Sequence, residues 1–161
     1  MRIGIGCDHA GFPLKQDIAD LAASLGHTVE DFGTFSTAPA DYPVYARKVA
    51  ESVVSGRCER GIVICGSGVG ASVAASKVPG VRSAMCHDTF SARQGVEDDD
   101  MNVLCLGARV VGPQLAAECV RAFLGAKFSG AERHVRRVAE IQAIEQDARK
   151  GVFDAMQRRP S

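Results

Sequence analysis

The chain has 161 residues, 46% apolar and 24% charged, the make-up of one ordinary globular domain with room for a sizeable core. Its 19 Lys and Arg balance 19 Asp and Glu, so no charge excess directs it to nucleic acid or to an anionic membrane surface. No apolar run approaches the roughly 18 residues of a membrane-spanning helix, and Met1-Arg2 enters a strand-like run without the apolar stretch and cleavage site of a secretory leader, so a cytoplasmic location is expected.

Residues 2–7 (RIGIGC) read as a first strand. Residues 11–26 align Leu14, Ile18, Leu21, Ala22 and Leu25 on one helical face, with Gly26 at the end. A second strand is expected at 27–33 and a helix at 41–56, opening near Asp41 and Pro43 and closing at Gly56. Residues 61–65 (GIVIC) lack polar alternation, as a strand covered on both faces would. A short helix at 70–80, stopped by Pro79-Gly80, leads to a fourth strand at 82–86 and a helix at 88–97. A fifth strand at 102–107 precedes a helix at 112–126 with Pro113 in its first turn. A last helix runs from Ala131 to about Lys150. Its apolar stripe of Val135, Val138, Ile141 and Ile144 follows a sheet that is already complete, so it suits either packing on that sheet or docking on a partner subunit. The alternation specifies a single-domain α/β protein, 1–150, with a doubly wound, Rossmann-like, five-stranded parallel sheet. The tail, 151–161, is expected to be partly disordered.

The six cysteines form no CxxC, and the four histidines are not spaced around them as zinc ligands, so no metal centre is expected. Cys7, Cys65, Cys86 and Cys105 each sit in or at the end of an apolar run, where a thiol serves as a small buried hydrophobe in a reducing compartment.

Ligands of doubly wound sheets bind outside the carboxyl ends of the strands. That rule selects Asp8 and His9, Gly33 and Thr34, Gly66 to Gly70, His87 and Asp88, and Gly107 to Arg109. The loop Gly66-Ser67-Gly68-Val69-Gly70 admits two readings. With Ala71 it fits the dinucleotide pattern GxGxxA, and Asp88 stands about 20 residues on, where a ribose ligand belongs. But that pattern ordinarily opens the first β-α unit, and here it follows the third strand. The alternative is a nest of backbone N–H groups for a small anion or a developing oxyanion, with Cys65 at its mouth as nucleophile or base. Asp8-His9 can hold a hydroxyl, or Asp8 can simply cap the following helix. Arg133 and Arg137, four residues apart with His134 beside them, can fork onto a phosphate or form a solvated charged face.

The motifs GCDHAGFPLK, DFGT, DYP, ICGSGVG, ASKVPGVRSA, NVLCLGARVVG and RHVRRVAEI, in this order across residues 1–145, resemble the ribose-5-phosphate isomerase B family, which includes galactose-6-phosphate isomerase subunits. The resemblance implies an aldose–ketose isomerase of sugar phosphates, needing no metal or organic cofactor and assembled as a homodimer or homotetramer whose active sites are completed by the neighbouring subunit. Cys65 would move the proton through a cis-enediol(ate), with Ser67 relaying protons between the two oxygens and the N–H groups of Gly66, Gly68, Val69 and Gly70 holding the oxyanion. Asp8, His9 and Tyr42 would contact the sugar, and Arg109, Arg133 and Arg137 its phosphate, the last two across the dimer. At Asp98, members acting on ribose 5-phosphate commonly carry a histidine credited with opening the furanose ring; Asp99 takes the next sugar-contact position, often Asn. The substrate expected is ribose 5-phosphate. The alternatives are a tetrose, allose or galactose phosphate, or a non-catalytic nucleotide-binding module on the same fold.

Overall fold

Strands β1 (Arg2–Cys7), β2 (Thr28–Asp31), β3 (Arg60–Cys65), β4 (Ser83–Met85) and β5 (Val103–Gly107) form one parallel sheet in the order β2-β1-β3-β5-β4 in the computed structural model, which describes residues 1–154. Residues 155–161 of the tail lie outside the described residues. The chain forms two units. Met1–Phe128 holds the sheet with helices α1 (Phe12–Ser24), α2 (Tyr42–Val54), α3 (Val69–Ala75), α4 (Thr89–Asp99) and α5 (Pro113–Gly125); the second, from Ser129, holds α6 (Glu132–Arg149). Among the described residues, no helix is long and apolar enough to cross a membrane.

Side chains alternate across each strand, so an unbroken apolar strand feeds two cores at once. Ile3 and Ile5 of β1, Ile62 and Ile64 of β3, and Leu104 and Leu106 of β5 pack with α1, α4 and α5. Val63 and Cys65, with Val103 and Cys105, face the other way and pack with α2 and α3. The register fixes Cys65 opposite Gly107 and Cys7 opposite Ile64. The ends of β1, β3 and β5 therefore open at one level. Chain order reverses between β1 and β3, the crevice where such sheets bind ligands.

The expected doubly wound parallel sheet is the one found; most element limits move by one or two residues. Three differences have physical causes. Helix α3 ends at Ala75 rather than running to Pro79-Gly80, because the residue before a proline avoids the helical region and tight turns close on Ala74 and Ala75 first. Strand β2 is shorter than 27–33, yet Phe32, Gly33 and Thr34 continue backbone pairing with Ile5 and Cys7 beyond it. Helix α4 extends through Asp99, two residues beyond the expected 97, so Asp98 and Asp99 are helical. Asp100 ends the helix in the left-handed region, and Arg82 holds it, Nε to its carbonyl at 2.7 Å and Nη2 to its carboxylate at 2.6 Å.

Helix α1 also buries more than its apolar stripe. Lys15 is 3% exposed, while Leu25 is exposed. The Lys15 ammonium donates to Asp31 Oδ2 and to the Thr34 carbonyl, both at 2.6 Å, and the Phe35 ring centroid is 4.5 Å away. A buried ammonium needs such partners, and these tie α1 to the end of β2.

Candidate active site

At the carboxyl edge of the sheet lies a cavity of about 300 Å3. The turn after β1 supplies Asp8, the end of β3 Cys65, the loop after it Gly66 and Ser67, the start of α3 Gly70, the turn after β5 Arg109 and Val110, and the start of α2 Tyr42. Seven of these were singled out in the sequence; Val110 was not, since an apolar residue in a turn carries no chemical signal.

Cys65 is 3% exposed, and its sulfur accepts the Gly68 N–H at 3.1 Å. A donor aimed at sulfur favours negative charge there. The Val69 N–H meets Ser67 Oγ at 3.3 Å. The turn after β5 is laced to the same loop: Ala108 N–H donates to the Cys65 carbonyl at 2.8 Å and Arg109 N–H to the Gly66 carbonyl at 3.0 Å. The Arg109 side chain then lies over Gly66, where a Cβ would be 3.6 Å from its Cδ and Nη1.

Asp8 is buried, and its Oδ1 accepts the N–H groups of Ala10 at 2.9 Å and Gly11 at 3.0 Å. Asp8 is not the cap of α1, whose N-cap is Gly11 without a side-chain cap bond; its carboxylate instead braces the turn that leads into the helix while it lines the cavity. His9 does not line the cavity; its Nδ1 is held by the backbone of Ala40, 3.1 Å from the nitrogen and 3.2 Å from the oxygen. Nor do Gly68, Val69, Asp98 and Asp99 line it. Asp98, on the last turn of α4, is half-buried and accepts from Gln94 Nε2 at 3.0 Å, whereas Asp99 is exposed.

Arg133 and Arg137 belong to the second unit. There Arg133 Nε–H donates to His134 Nε2 at 2.9 Å, so the neutral ring carries its proton on Nδ1 and gives it to Ser129 Oγ at 2.7 Å. Asp88, the candidate ribose ligand of a dinucleotide site, instead caps α4, accepting the Ser91 N–H at 2.7 Å. That hydrogen bond holds its carboxyl below the usual carboxylate range.

Burial raises the thiols of Cys58 and Cys119, pushes those of Cys7 and Cys86 up to about 11, and raises Cys105 further. These five are held as neutral, packed side chains. Among the described residues, no three His, Cys, Asp or Glu side chains are grouped as for a metal ion.

Fold and site together define a parallel α/β protein with a thiol and a glycine loop at the mouth of the sheet. Residues 3–141 match the family model described as Ribose/Galactose Isomerase, and the chain belongs to that family. It is 47% identical over 145 residues to ribose-5-phosphate isomerase B of Escherichia coli, covering 90% of this chain and 97% of that one. It is 41% identical over 131 residues to D-erythrulose-4-phosphate isomerase of Pectobacterium atrosepticum, covering 81% of this chain and 86% of that one. The solved structure of ribose-5-phosphate isomerase B from Clostridium thermocellum matches with a TM-score of 0.89 at 51% identity, covering 92% of this chain and 99% of that one.

Proposed function

We propose that this protein interconverts ribose 5-phosphate and ribulose 5-phosphate, with Cys65 as the base. One observation carries this reading: the Cys65 sulfur, held by the Gly68 N–H, sits in a cavity walled by Asp8, Ser67 and Arg109. In the open-chain aldose, the Cys65 thiolate takes the proton on the second carbon. The electron pair moves toward the first, leaving negative charge on its oxygen and a cis-enediolate. The thiol returns a proton to the first carbon. The second hydroxyl becomes the carbonyl, its proton passing through Ser67 Oγ to the neighbouring oxygen.

The N–H groups of the Gly66–Gly70 loop hold the developing oxyanion; those of Gly68 and Val69 face the Cys65 sulfur and Ser67 Oγ in the resting site. Asp8 and Tyr42, on the cavity wall, contact the sugar, whereas His9, held on the Ala40 backbone, and Asp99 stand outside that wall. Arg109, Arg133 and Arg137 take the phosphate, the last two from a neighbouring subunit of a homodimer. Support for that assembly comes from α6, where Val135, Ile141 and Ile144 are exposed. Proton transfer alone completes the reaction, so the mechanism calls on no metal or organic cofactor.

A second reading keeps the chemistry and shortens the sugar. Asp98 stands where a ring-opening histidine is expected, which favours a four-carbon aldose phosphate that cannot close into a furanose. A coupled assay across four-, five- and six-carbon aldose phosphates tests both. Highest kcat/KM on ribose 5-phosphate supports the first reading, highest on the tetrose the second, and turnover of none overturns the function.

A further inference from the structure

His87, just beyond β4, is one of the strand-end residues that the proposed chemistry does not use. Its Nε2 accepts the Gly107 N–H at 2.9 Å. A backbone N–H can only donate, so this nitrogen is bare and the neutral ring carries its proton on Nδ1. Gly107 is the residue on which two parts of the cavity meet. Its carbonyl accepts the N–H groups of Val110 and Val111, closing the turn that presents Arg109. Its Cα lies so near the Cys65–Ser67 loop that a Cβ there would be 2.5 Å from the Ser67 carbonyl carbon and oxygen. The next two N–H groups, of Ala108 and Arg109, donate to the carbonyls of Cys65 and Gly66. Turning the Gly107 peptide would therefore shift Cys65, Ser67 and Arg109 together.

We infer that His87 is a positioning residue for the isomerase reaction: by accepting the Gly107 N–H it locks the turn after β5 against the loop that carries Cys65. It touches no reacting atom. Gly107 is buried, so without this acceptor its N–H faces a choice between an unmet hydrogen bond and a rotated peptide. Displacements of the order of 1 Å at a catalytic group lower rates by about 100-fold.

The inference rests on the reading that the Cys65 cavity is where the sugar phosphate reacts, and the experiment separates the two. His87→Phe keeps a ring and removes the acceptor; His87→Gln restores an acceptor at the ε position without a ring. Activity is measured per folded molecule, with the folded fraction from circular dichroism. The expected result is a loss of about 10- to 100-fold in kcat/KM for His87→Phe, mostly in kcat, with His87→Gln recovering to within about threefold of the parent. Equal activity of His87→Phe and the parent, or equal damage in both variants, overturns the inference. Nitrogen NMR of the parent gives an independent readout: His87 should show a bare Nε2 and a protonated Nδ1, and the opposite tautomer also overturns it. A Cys65→Ala control locates any failure. If Cys65→Ala is inactive and His87→Phe is not, the positioning role alone fails; if Cys65→Ala stays active, the reading of the cavity fails with it.

Discussion

The Gly68 N–H points at the Cys65 sulfur from three residues downstream, at 3.1 Å. This geometry joins the proposed base to the first residues of α3, so sulfur at position 65 both receives the donor and faces the cavity. Replacing it should remove chemistry and leave architecture. Cys65→Ala is expected to lower kcat by about 100- to 10,000-fold, with circular dichroism and phosphate-ligand affinity nearly unchanged. Retention of more than a tenth of the parent activity would show that another group takes the proton.

Arg133→Ala and Arg137→Ala should act through the phosphate. Each is expected to raise KM for a sugar phosphate by about tenfold or more, with some fall in kcat because remote binding energy is also used at the transition state. Unphosphorylated sugar supplies the control. If its turnover falls in parallel, the two guanidiniums are not reading phosphate.

Asp98 and Asp99 close α4 at the end of the helix where the backbone dipole disfavours negative charge, and no basic residue stands in that last turn. Helix stability does not call for them there. A carboxylate exchanges protons near neutral pH less readily than an imidazole. Asp98→His is therefore expected to raise kcat/KM on ribose 5-phosphate while leaving a tetrose phosphate nearly unchanged. A fall on ribose 5-phosphate would make Asp98 a group already suited to this site.

Gly70 faces the ring of Tyr42: a Cβ there would lie 2.6 Å from Cζ and 2.7 Å from Cε2. Gly70→Ala must push the ring aside or into the cavity. The expected outcome is a KM for sugar phosphate raised about tenfold at a melting temperature within a few degrees of the parent. Unchanged KM would remove Tyr42 from the substrate's surroundings.

Alkali should weaken the fold through its buried thiols. Cys7 and Cys86 are raised by burial from an ordinary 9.0 to about 11. Between those values the unfolded chain has released these protons and the folded chain still holds them. Unfolding then releases protons, and stability falls as pH rises. The slope from each thiol approaches about 1.4 kcal/mol per pH unit. Denaturant titrations at pH 8, 9 and 10.5 should show the decline, and Cys7→Ala should make it shallower. A variant with the parent's slope would contradict the assignment.

Periodicity and strand-end position carried most of this molecule into view. Unbroken apolar runs marked buried strands, and glycine beside a thiol marked the cavity, because both signals are local. Lys15 was not legible: it falls next to Leu14 on the inner face of α1, but its partners, Asp31 and Thr34, come from another element. His87 was selected by its place after β4, yet nothing in the chain tells that a glycine twenty residues later donates to it. The helix expected at 88–97 runs on to Asp99, and nothing local tells that Arg82, from the approach to another strand, holds Asp100 at its end. Each miss is a polar contact between segments distant in sequence, which no periodicity encodes.

Beside Cys65, the Gly66–Gly70 loop and the turn after β5 are joined through main chain, the Ala108 and Arg109 N–H groups donating to the carbonyls of Cys65 and Gly66. Peptide groups contribute the same N–H and C=O whatever side chain they bear, so that part of the cavity resists change by mutation. In the proposed reaction every aldose phosphate presents the same two carbons to it. Tyr42 and Val110 line the cavity with side chains, free to vary without disturbing those peptides. Under the proposed chemistry, evolution on this scaffold can thus retune how long a sugar is accepted while inheriting the proton-transfer step intact.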